Sequence, residues 1–494
     1  MMPNVSTRHA KFSCCLAGIL LWSCLATGAP APAAPPYDPA TALLIVDYLL
    51  NQQDANGAIP DVPNGETVNI DSNMEYALIG FAAAFHYAGS PAYLSALELG
   101  IRWLAAAEEM TDAQWRGSWF YAYSSAPPYQ PVPTSPDDPA IMDVRGVDAT
   151  SALFVYLLYL HSVLSGSDAL AQEYDANARA ALDFVLAGNQ SPDGFFYSSW
   201  QRWVADGQWH LWPFCYAADQ ADVYLGMRAG WELYGDTRYR DAAGHLEEQV
   251  PGTFFLASDG RYAVGMYEDG SLASELDGFD GVFPQGYLPW VFGANQYNLD
   301  AFDWLSACVQ ADGSLVCYPG DPRFSMSVLM YAMSATGLSK PFPTQSVDWL
   351  INNTLDGDGG IRDTADPASE KYPNVAGFGV AALLGYQAFP APAGSVDEGT
   401  FPLPGLALAV YPTPSAGAVE ILVSVVRPIS AEIDILDAAG RRVRLLGQRT
   451  LREGVHVIHW DRRSDDGLPL ASGVYFVRGG VGGRYVSHRI VLLR

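Results

Sequence analysis

Acidic residues recur where polar loops of this 494-residue chain lead into strongly apolar stretches. The acids at these positions are Asp71, Glu75, Asp148, Asp219, Asp222, Asp277 and Asp280. An acid within an apolar helical register is costly to bury unless it is paired or lines a cavity. Two carboxyl groups that share one pocket can cleave a glycosidic bond, one protonating the leaving oxygen and the other acting as base or nucleophile.

Aromatic residues crowd the same loops and favour a sugar as the substrate. Flat rings stack on the C–H faces of a pyranose while carboxylates bind its hydroxyl groups. An aromatic-lined pocket also raises the pKa of a buried carboxyl group, as the acid role requires. The catalytic candidates are Asp71, Asp148 and Asp219. The candidates for substrate binding are Glu75, Asp222, Asp277, Asp280, Trp119, Tyr121, Trp200, His210, Trp212 and Trp290.

Each candidate also has a structural interpretation. The segment from Ser72 to Glu75 fits a capping box, in which both side chains satisfy backbone N–H groups. Asp148 fits the N-cap of its helix. Asp71 could likewise be a helix cap, and Asp277 and Asp280 could lie in a solvated loop. His210 could be a hydrogen-bonded structural imidazole, and at least half of the aromatic residues could be core packing.

Residues 35–390 repeat one pattern six times, a half-polar helix, a glycine-rich turn and a charge-poor helix. The turns span 51–61, 115–123, 189–200, 256–267, 309–318 and 355–363. Half-polar helices are predicted over 39–53, 92–108, 168–188, 236–249, 295–308 and 343–354, and charge-poor helices over 72–88, 146–165, 215–234, 282–293, 324–338 and 374–388. Six such pairs predict a closed all-α (α/α)6 toroid, with an open solenoid as the alternative.

The C-terminal part has a different period. Residues 391–405 form a Pro/Gly-rich linker, and short segments of alternating polarity follow over 406–494. Turn sequences such as DAAG and DDG separate these segments. The pattern predicts a small all-β immunoglobulin-like sandwich.

Charge and leader composition indicate an exported protein. Residues 1–34 resemble a signal peptide. Cleavage before Cys24, which would make the protein a lipoprotein, is the alternative. Residues 401–494 contain 12 Arg and 8 acids, a net charge of +4, whereas the rest contains 15 basic and 46 acidic residues, or −31. Such acidity excludes nucleic-acid binding. No cysteine spacing resembles a zinc site, so we expect no metal or cofactor.

Cys308 and Cys317 flank a turn. They could form a hairpin disulfide or remain two buried free thiols, and the sequence leaves both alternatives open.

Two stretches resemble known families. The segments YPTPSAGAVEI, ILDAAGRRVRLL and GVHVIHWDRRSDDGLPLASGVYFVRG are similar to the FlgD-like immunoglobulin domain that ends many type IX-secreted bacterial proteins. The stretch RGVDATSALF, starting at Arg145, resembles the VDATPLF segment of six-hairpin glycosidases, with Ser151 and Ala152 replacing the proline. The second resemblance covers residues 115–235 and implies an (α/α)6 fold with Asp148 in the pocket. The first implies secretion-machinery partners and a secreted or cell-surface location.

We therefore expect a secreted glycoside hydrolase with a carbohydrate substrate. A polysaccharide lyase is the nearest rival and would use Tyr216 or His210 as base. Uronate substrates require nearby cationic groups, however, and the charge of this region favours a neutral sugar. A non-catalytic glycan-binding scaffold is the third possibility, because a fold alone does not determine function.

Overall fold

The computed structural model describes residues 35–133, 139–276, 278–390, 406–411, 419–425, 429–437, 441–452, 454–481 and 484–492. Within them, residues 35–390 form thirteen α-helices: α1 (Pro39–Gln52), α2 (Asn73–Ala88), α3 (Pro91–Ala107), α4 (Asp148–Ser165), α5 (Ala169–Glu173), α6 (Asp175–Phe184), α7 (Ala217–Tyr234), α8 (Thr237–Thr253), α9 (Phe283–Phe292), α10 (Gln296–Ala307), α11 (Ser325–Gly337), α12 (Thr344–Thr354) and α13 (Pro373–Leu384). A π-helical turn, Val185–Asn189, extends α6.

Ten short strands lie in the connections of the same described region. They are β1 (Thr67–Asn69), β2 (Ala122–Ser124), β3 (Ile141–Arg145), β4 (Ser199–Trp203), β5 (Trp209–Trp212), β6 (Phe214–Tyr216), β7 (Phe255–Leu256), β8 (Arg261–Tyr262), β9 (Gly265–Tyr267) and β10 (Leu272–Ala273). They pair antiparallel as β1–β2, β3–β4–β5, β6–β9–β10 and β7–β8. Strand β3 leads into α4 and β6 into α7, and the other strands lie in the connections that precede α2, α4, α7 and α9.

The helices form two concentric layers because their apolar surfaces differ. Helix α4 is apolar around nearly its whole circumference and is buried over nearly its whole length, whereas α3 exposes one face. The charge-poor helices α2, α4, α7, α9, α11 and α13 each pack against the next, and α13 packs against α2. This last contact closes the ring. The structure therefore confirms the predicted closed toroid and excludes an open solenoid.

Glycines allow three pairs of inner helices to approach at backbone distance. A Cβ atom at Gly226 of α7 would lie 2.3 Å from the carbonyl oxygen of Ala152 in α4. One at Gly377 of α13 would lie 2.1 Å from the carbonyl oxygen of Tyr76 in α2, at the contact that closes the ring. Gly286 of α9 meets α11 in the same way. Because these neighbours are backbone atoms, a larger residue would push the helices apart.

Two glutamines attach the glycine-rich turns to the inner helices. The side chain of Gln220 in α7 accepts a hydrogen bond from the backbone N–H of Phe196 at 2.8 Å and donates one to its carbonyl at 2.9 Å. Gln285 in α9 makes the same pair of bonds to Tyr262, at 2.7 and 2.9 Å. Both glutamines are fully buried, so each satisfies backbone groups that would otherwise be buried without partners.

The described C-terminal residues form two antiparallel sheets. Their strands are β11 (Leu406–Tyr411), β12 (Val419–Val425), β13 (Ile429–Asp437), β14 (Arg442–Leu451), β15 (Gly454–Trp460), β16 (Gly473–Val481) and β17 (Arg484–Leu492). The sheet orders are β11–β12–β15 and β14–β13–β16–β17, and buried residues of both sheets form one hydrophobic core. An all-β region is thus confirmed, while its immunoglobulin-like identity stays a prediction.

Other expectations have mixed outcomes. The leader, 1–34, and the linker, 391–405, lie outside the described residues. Cys308 and Cys317 are free thiols in hydrogen-bonding contact, the second of the two alternatives for this pair. None of the described helices has the length and apolarity to cross a membrane.

We predict that Gly226→Ala and Gly377→Ala each lower the free energy of unfolding by about 1–3 kcal/mol, because the added methyl group meets backbone atoms. Gly244→Ala is the matched control: it lies in outer helix α8, where an added Cβ atom would have no neighbour within 4 Å, so it is expected to stabilise the protein by about 0.4–1 kcal/mol. Urea unfolding measures all three variants. Equal changes in the free energy of unfolding at the three sites would show that Gly226 and Gly377 do not lie at close helix contacts.

Candidate active site

The acidic residues stand at the starts of three inner helices and one 3-10 turn. Asp71 precedes α2 by two residues, Asp148 is the first residue of α4, and Asp219 lies in the first turn of α7. Asp280 lies in the turn Phe279–Gly281 before α9. Because the inner helices run around one ring, their N-terminal ends meet at one mouth. The partial positive charge of each helix N-terminus favours a carboxylate there.

These carboxyl groups lie close enough to perturb one another. Burial and then the negative charge of Asp71 raise the pKa of Asp219 well above its ordinary value, with smaller effects from Asp222 and Asp280. Burial, and after it the charge of Asp219, also raise the pKa of Asp148 well above its ordinary value. The structure thus brings together the three predicted catalytic residues at one site.

Asp71 and Asp219 are the two half-buried members of the catalytic set, whereas Asp148 is fully buried. Burial and the charge of Asp280 raise the pKa of Asp71 to about 6, and a hydrogen bond from the Tyr121 phenol opposes that rise. A bond from the Ser198 hydroxyl similarly favours ionised Asp219 but does not offset the burial and the like charges around it, so the pKa of Asp219 stays raised. Asp71 therefore ionises near pH 6, whereas burial and the neighbouring acids favour the protonated form of Asp219.

Asp222 lies one turn deeper and is held by two tyrosines. Its carboxylate accepts hydrogen bonds from the hydroxyl groups of Tyr76 at 2.7 Å and Tyr287 at 2.5 Å. Burial raises its pKa to about 7, while both bonds act to lower it. The rings of Tyr76, Tyr287, Phe283 and Phe378 pack around this group and close the centre of the ring below the acids. Asp222 therefore belongs to the floor of the site.

Glu75 contradicts the capping-box interpretation. Ser72 at the start of α2 makes no side-chain capping bond and adopts a left-handed backbone conformation, with φ of 66°. The Glu75 carboxyl group is 0% exposed, and neither of its oxygens has a hydrogen-bond partner among the described residues. Burial raises its pKa well above the ordinary value, as do the charges of Asp71 and Asp222. Glu75 therefore faces the acid cluster.

Asp148 is also not a helix cap. Val147 holds the N-cap position, and Asp148 itself is the first helical residue. Its Oδ1 accepts a bond from the N–H of Ala149 at 2.8 Å, while Oδ2 has no partner among the described residues. Like Glu75, Asp148 is 0% exposed, so this oxygen is the acid cluster's third buried carboxyl oxygen without a partner in the described part of the chain.

Two of the predicted substrate-binding tryptophans are packing residues instead, which corrects the expectation for them. Trp119 and Trp290 are each 2% exposed, and their indole N–H groups donate to the backbone carbonyls of Leu104 and Tyr386. Neither ring has a free face for a sugar. Trp200 packs edge-on against Trp115 on the side of outer helix α6 but is half-buried, so its substrate-binding role stays a prediction.

The other aromatic candidates lie nearer the mouth. Tyr121 bonds Asp71, and Tyr216 lies within electrostatic range of Asp280, Asp219 and Asp71. Trp212 is half-buried, packing edge-on against Tyr216 at a centroid distance of 5.7 Å and stacking on Phe214.

Of the remaining candidates, one lies away from the reacting groups, one lies at the rim beside them, and one is undescribed. His210 stands on the β4–β5 hairpin, paired with Asp206 at 2.9 Å and stacked on Trp203, which favours its structural interpretation. Asp280 is exposed at the rim of the mouth. Asp277 lies outside the described residues.

Sequence reasoning missed the groups that hold the acids, namely Ser198, Tyr76 and Tyr287. The two tyrosines occupy apolar inner helices, where a buried phenol needs a hydrogen-bond acceptor. That requirement is the one signal that could have linked them to Asp222. Among the described residues, no group of acids, histidines or cysteines has an arrangement that could hold a metal ion.

Comparison with known proteins shows the fold and no closer relationship. No protein-family model and no curated protein sequence matches the chain. Both sequence resemblances, to six-hairpin glycosidases and to the FlgD-like domain, thus stay predictions at the level of family. The solved structures, by contrast, include many matches to the helical region.

Three of these structures illustrate the shared toroid. The cellobiose 2-epimerase from Bacillus thermoamylovorans aligns with a TM-score of 0.52 at 12% identity, covering 69% of this chain and 97% of that one. A D-mannose isomerase aligns with a TM-score of 0.50 at 11% identity, covering 70% of this chain and 96% of that one. The GH76 alpha-mannanase of Bacteroides thetaiotaomicron aligns with a TM-score of 0.49 at 13% identity, covering 71% of this chain and 96% of that one. The first two alignments show that this chain has a helical toroid fold.

Proposed function

We propose that the protein is a glycoside hydrolase acting at the mouth of its toroid. The observation that carries this proposal is the convergence of Asp71, Asp148 and Asp219 from three inner helices on one site. Hydrolysis of a glycosidic bond requires one protonated and one ionised carboxyl group. A cluster of mutually repelling acids supplies both forms at one pH. The fold, shared with sugar-active enzymes, supports the same class of substrate.

In this proposal Asp219 is the general acid and Asp71 the base or nucleophile. Both are half-buried and reach the mouth, whereas Asp148 has no exposed surface. Asp219 donates its proton to the departing glycosidic oxygen. Asp71 either removes a proton from the attacking water or attacks the anomeric carbon itself. The charges of Asp71, Asp222 and Asp280 favour the protonated form of Asp219, whereas Asp148, which is buried and within electrostatic range of Asp219, acts as a positioning residue.

The surroundings disfavour the rival reactions. A lyase that acts on uronates needs a cation beside the substrate carboxylate, and no described Lys, Arg or His side chain forms an ion pair with Asp71, Asp148 or Asp219. His210, its candidate base, is engaged by Asp206. Isomerisation, the reaction of the D-mannose isomerase that shares the fold, most often needs an imidazole base, and carboxyl groups form this cluster instead.

We predict that Asp219→Asn and Asp71→Asn each lower glycan hydrolysis by at least about 10²-fold, because each removes one of the two proton-transferring or nucleophilic groups. Reducing-sugar release by the full chain, over a panel of neutral, amino and acidic glycans, measures the effect. Chromatography of the products identifies isomerised sugars, and absorbance of an unsaturated product identifies a lyase.

Asp303→Asn is the matched control, because Asp303 is an exposed acid on outer helix α10. It is expected to retain full activity. Retention of activity by Asp71→Asn and Asp219→Asn would exclude the proposed pair, and binding without release of any product would support the scaffold instead.

We also predict a bell-shaped dependence of rate on pH. Activity rises as the pH passes about 6, where Asp71 loses its proton, and falls at higher pH as Asp219 loses its own. The charge of Asp280 raises the pKa of both groups, so Asp280→Asn should move both limbs to lower pH. Initial rates over the pH range test this. An unchanged profile in Asp280→Asn would contradict the coupling.

Export and surface attachment complete the proposal. The leader-like residues 1–34 and the all-β C-terminal region support secretion with the C-terminal region as the sorting or attachment element. Fractionation of the producing cells, compared with a chain ending at residue 400, tests it. Equal release of both chains would contradict a sorting role.

A further inference from the structure

The acid cluster has an unusual feature that its proposed hydrolytic role does not use, namely that no basic side chain of the described residues accompanies its carboxyl groups. Helices α9, α11 and α13 contain no acidic or basic residue at all. Helices α2, α4 and α7 place their acids in the first two turns, apart from Glu232 near the far end of α7. The basic residues of these three helices, His86, His161 and Arg228, lie in the second half of each helix, away from the mouth.

The nearest cation along the chain is turned away from the site. Arg145 precedes Asp148 by three residues, but its guanidinium lies over the rings of Trp115 and Phe120, at 4.6 and 4.4 Å. It also lies 4.0 Å from the carboxylate of Glu109. Within the part of the chain that the structure describes, no basic side chain forms an ion pair with any of five clustered acids, Asp71, Glu75, Asp148, Asp219 and Asp222.

Two fully buried carboxyl groups leave hydrogen-bond acceptors that a bound ligand could satisfy. Both oxygens of Glu75 and Oδ2 of Asp148 lack hydrogen-bond partners among the described residues. Buried acids are ordinarily paired or hydrogen-bonded, because leaving them without partners is costly. Their neighbours Asp71, Asp219 and Asp222 are acids as well and supply no compensating positive charge. The described residues also offer no arrangement for a metal ion, so an organic cation is the fitting ligand.

We propose that the sugar bound at the mouth carries a free, protonated amine, as in a 2-amino-2-deoxy hexose. This inference rests on the proposed glycoside hydrolase function and adds its substrate class. The exposed carboxylate of Asp280 at the rim pairs with the ammonium, and the buried carboxyl groups of Glu75, Asp148 and Asp222 lie deeper in the site. Tyr121 and Tyr216 at the same mouth supply aromatic faces, which also attract a cation.

The proposal makes proton release a direct readout. An ammonium favours the ionised form of any carboxyl group near it, so binding lowers the pKa of the clustered acids. Acids that are protonated in the free protein then lose protons when the amino sugar binds. A neutral sugar of the same shape has no such effect. The difference separates charge recognition from recognition of the sugar ring.

The test compares matched sugars that differ in one group. Isothermal titration of the full chain at pH 6, in two buffers of different ionisation enthalpy, measures affinity and proton release together. The probes are glucosamine with glucose, galactosamine with galactose, and mannosamine with mannose, plus the three N-acetylated amino sugars. We expect one amino sugar to bind at least tenfold tighter than its neutral and N-acetylated counterparts, with a measurable release of protons.

Two variants and one control test which acids recognise the ammonium group of the sugar. Asp280→Asn removes an exposed acid and should reduce the preference for the amino sugar without affecting folding. Glu75→Gln removes a buried charge at constant shape and should reduce both the preference and the proton release. Asp303→Asn on α10 should change neither. The comparison of sugars in the unaltered chain tests the proposal even where Glu75→Gln does not fold.

The outcomes separate this inference from the function beneath it. If the neutral sugars bind equally well or more tightly and a neutral glycan is cleaved, the amino-sugar proposal is wrong but the proposed hydrolase function is supported. Absence of binding by every sugar, together with absence of cleavage of any glycan, would overturn both.

Discussion

Repulsion among buried carboxyl groups is the constraint on which the site of this protein depends. Asp148, Glu75 and Asp222 are wholly buried, and each lies within range of other acids. Burial of like charges is unfavourable unless protons or ligands neutralise them. Three features limit the cost here: helix N-termini directed at the acids, two tyrosine hydroxyl groups on Asp222, and raised pKa values that keep some of the groups protonated.

The closed ring is what holds these charges together. If α13 did not pack against α2, the acids at the start of α2 would no longer be fixed against those of α4 and α7. Glycine at positions 226, 286 and 377 lets neighbouring inner helices meet at their backbones. Gln220 and Gln285 then attach the turns that precede the helices. The precision of the mouth therefore comes from close packing well below it, as general principles of preorganised sites require.

Much of the fold could be predicted from the sequence because its periodicity is strong. All six charge-poor segments are inner helices, since a helix without a polar face has to be buried. The acids of these helices could also be identified, because a carboxyl group in an apolar register stands out. The tryptophans could not be sorted: Trp119 packs in the core and Trp212 lies near the mouth, yet both stand in similar loops. Ring orientation depends on strand register, which a single sequence does not determine.

For Glu75 the sequence left two roles open, substrate binding and a helix cap, and could not decide between them. Ser72 and Glu75 have the spacing of a capping box, and only the left-handed backbone at Ser72 removes the cap and leaves the carboxyl group facing the acids. Such a residue shows how a functional site departs from the local rule that its sequence suggests.

The most direct test of this account is a carboxyl ¹³C NMR titration of the full chain labelled at aspartate. We predict that Asp71 and Asp363 titrate near pH 6 and Asp222 near pH 7, and that Asp71→Asn and Asp222→Asn each remove one of these resonances. Titration of every aspartate below about pH 5, near the ordinary range for exposed groups, would show that the acids do not form the buried, mutually repelling cluster from which the proposed chemistry follows.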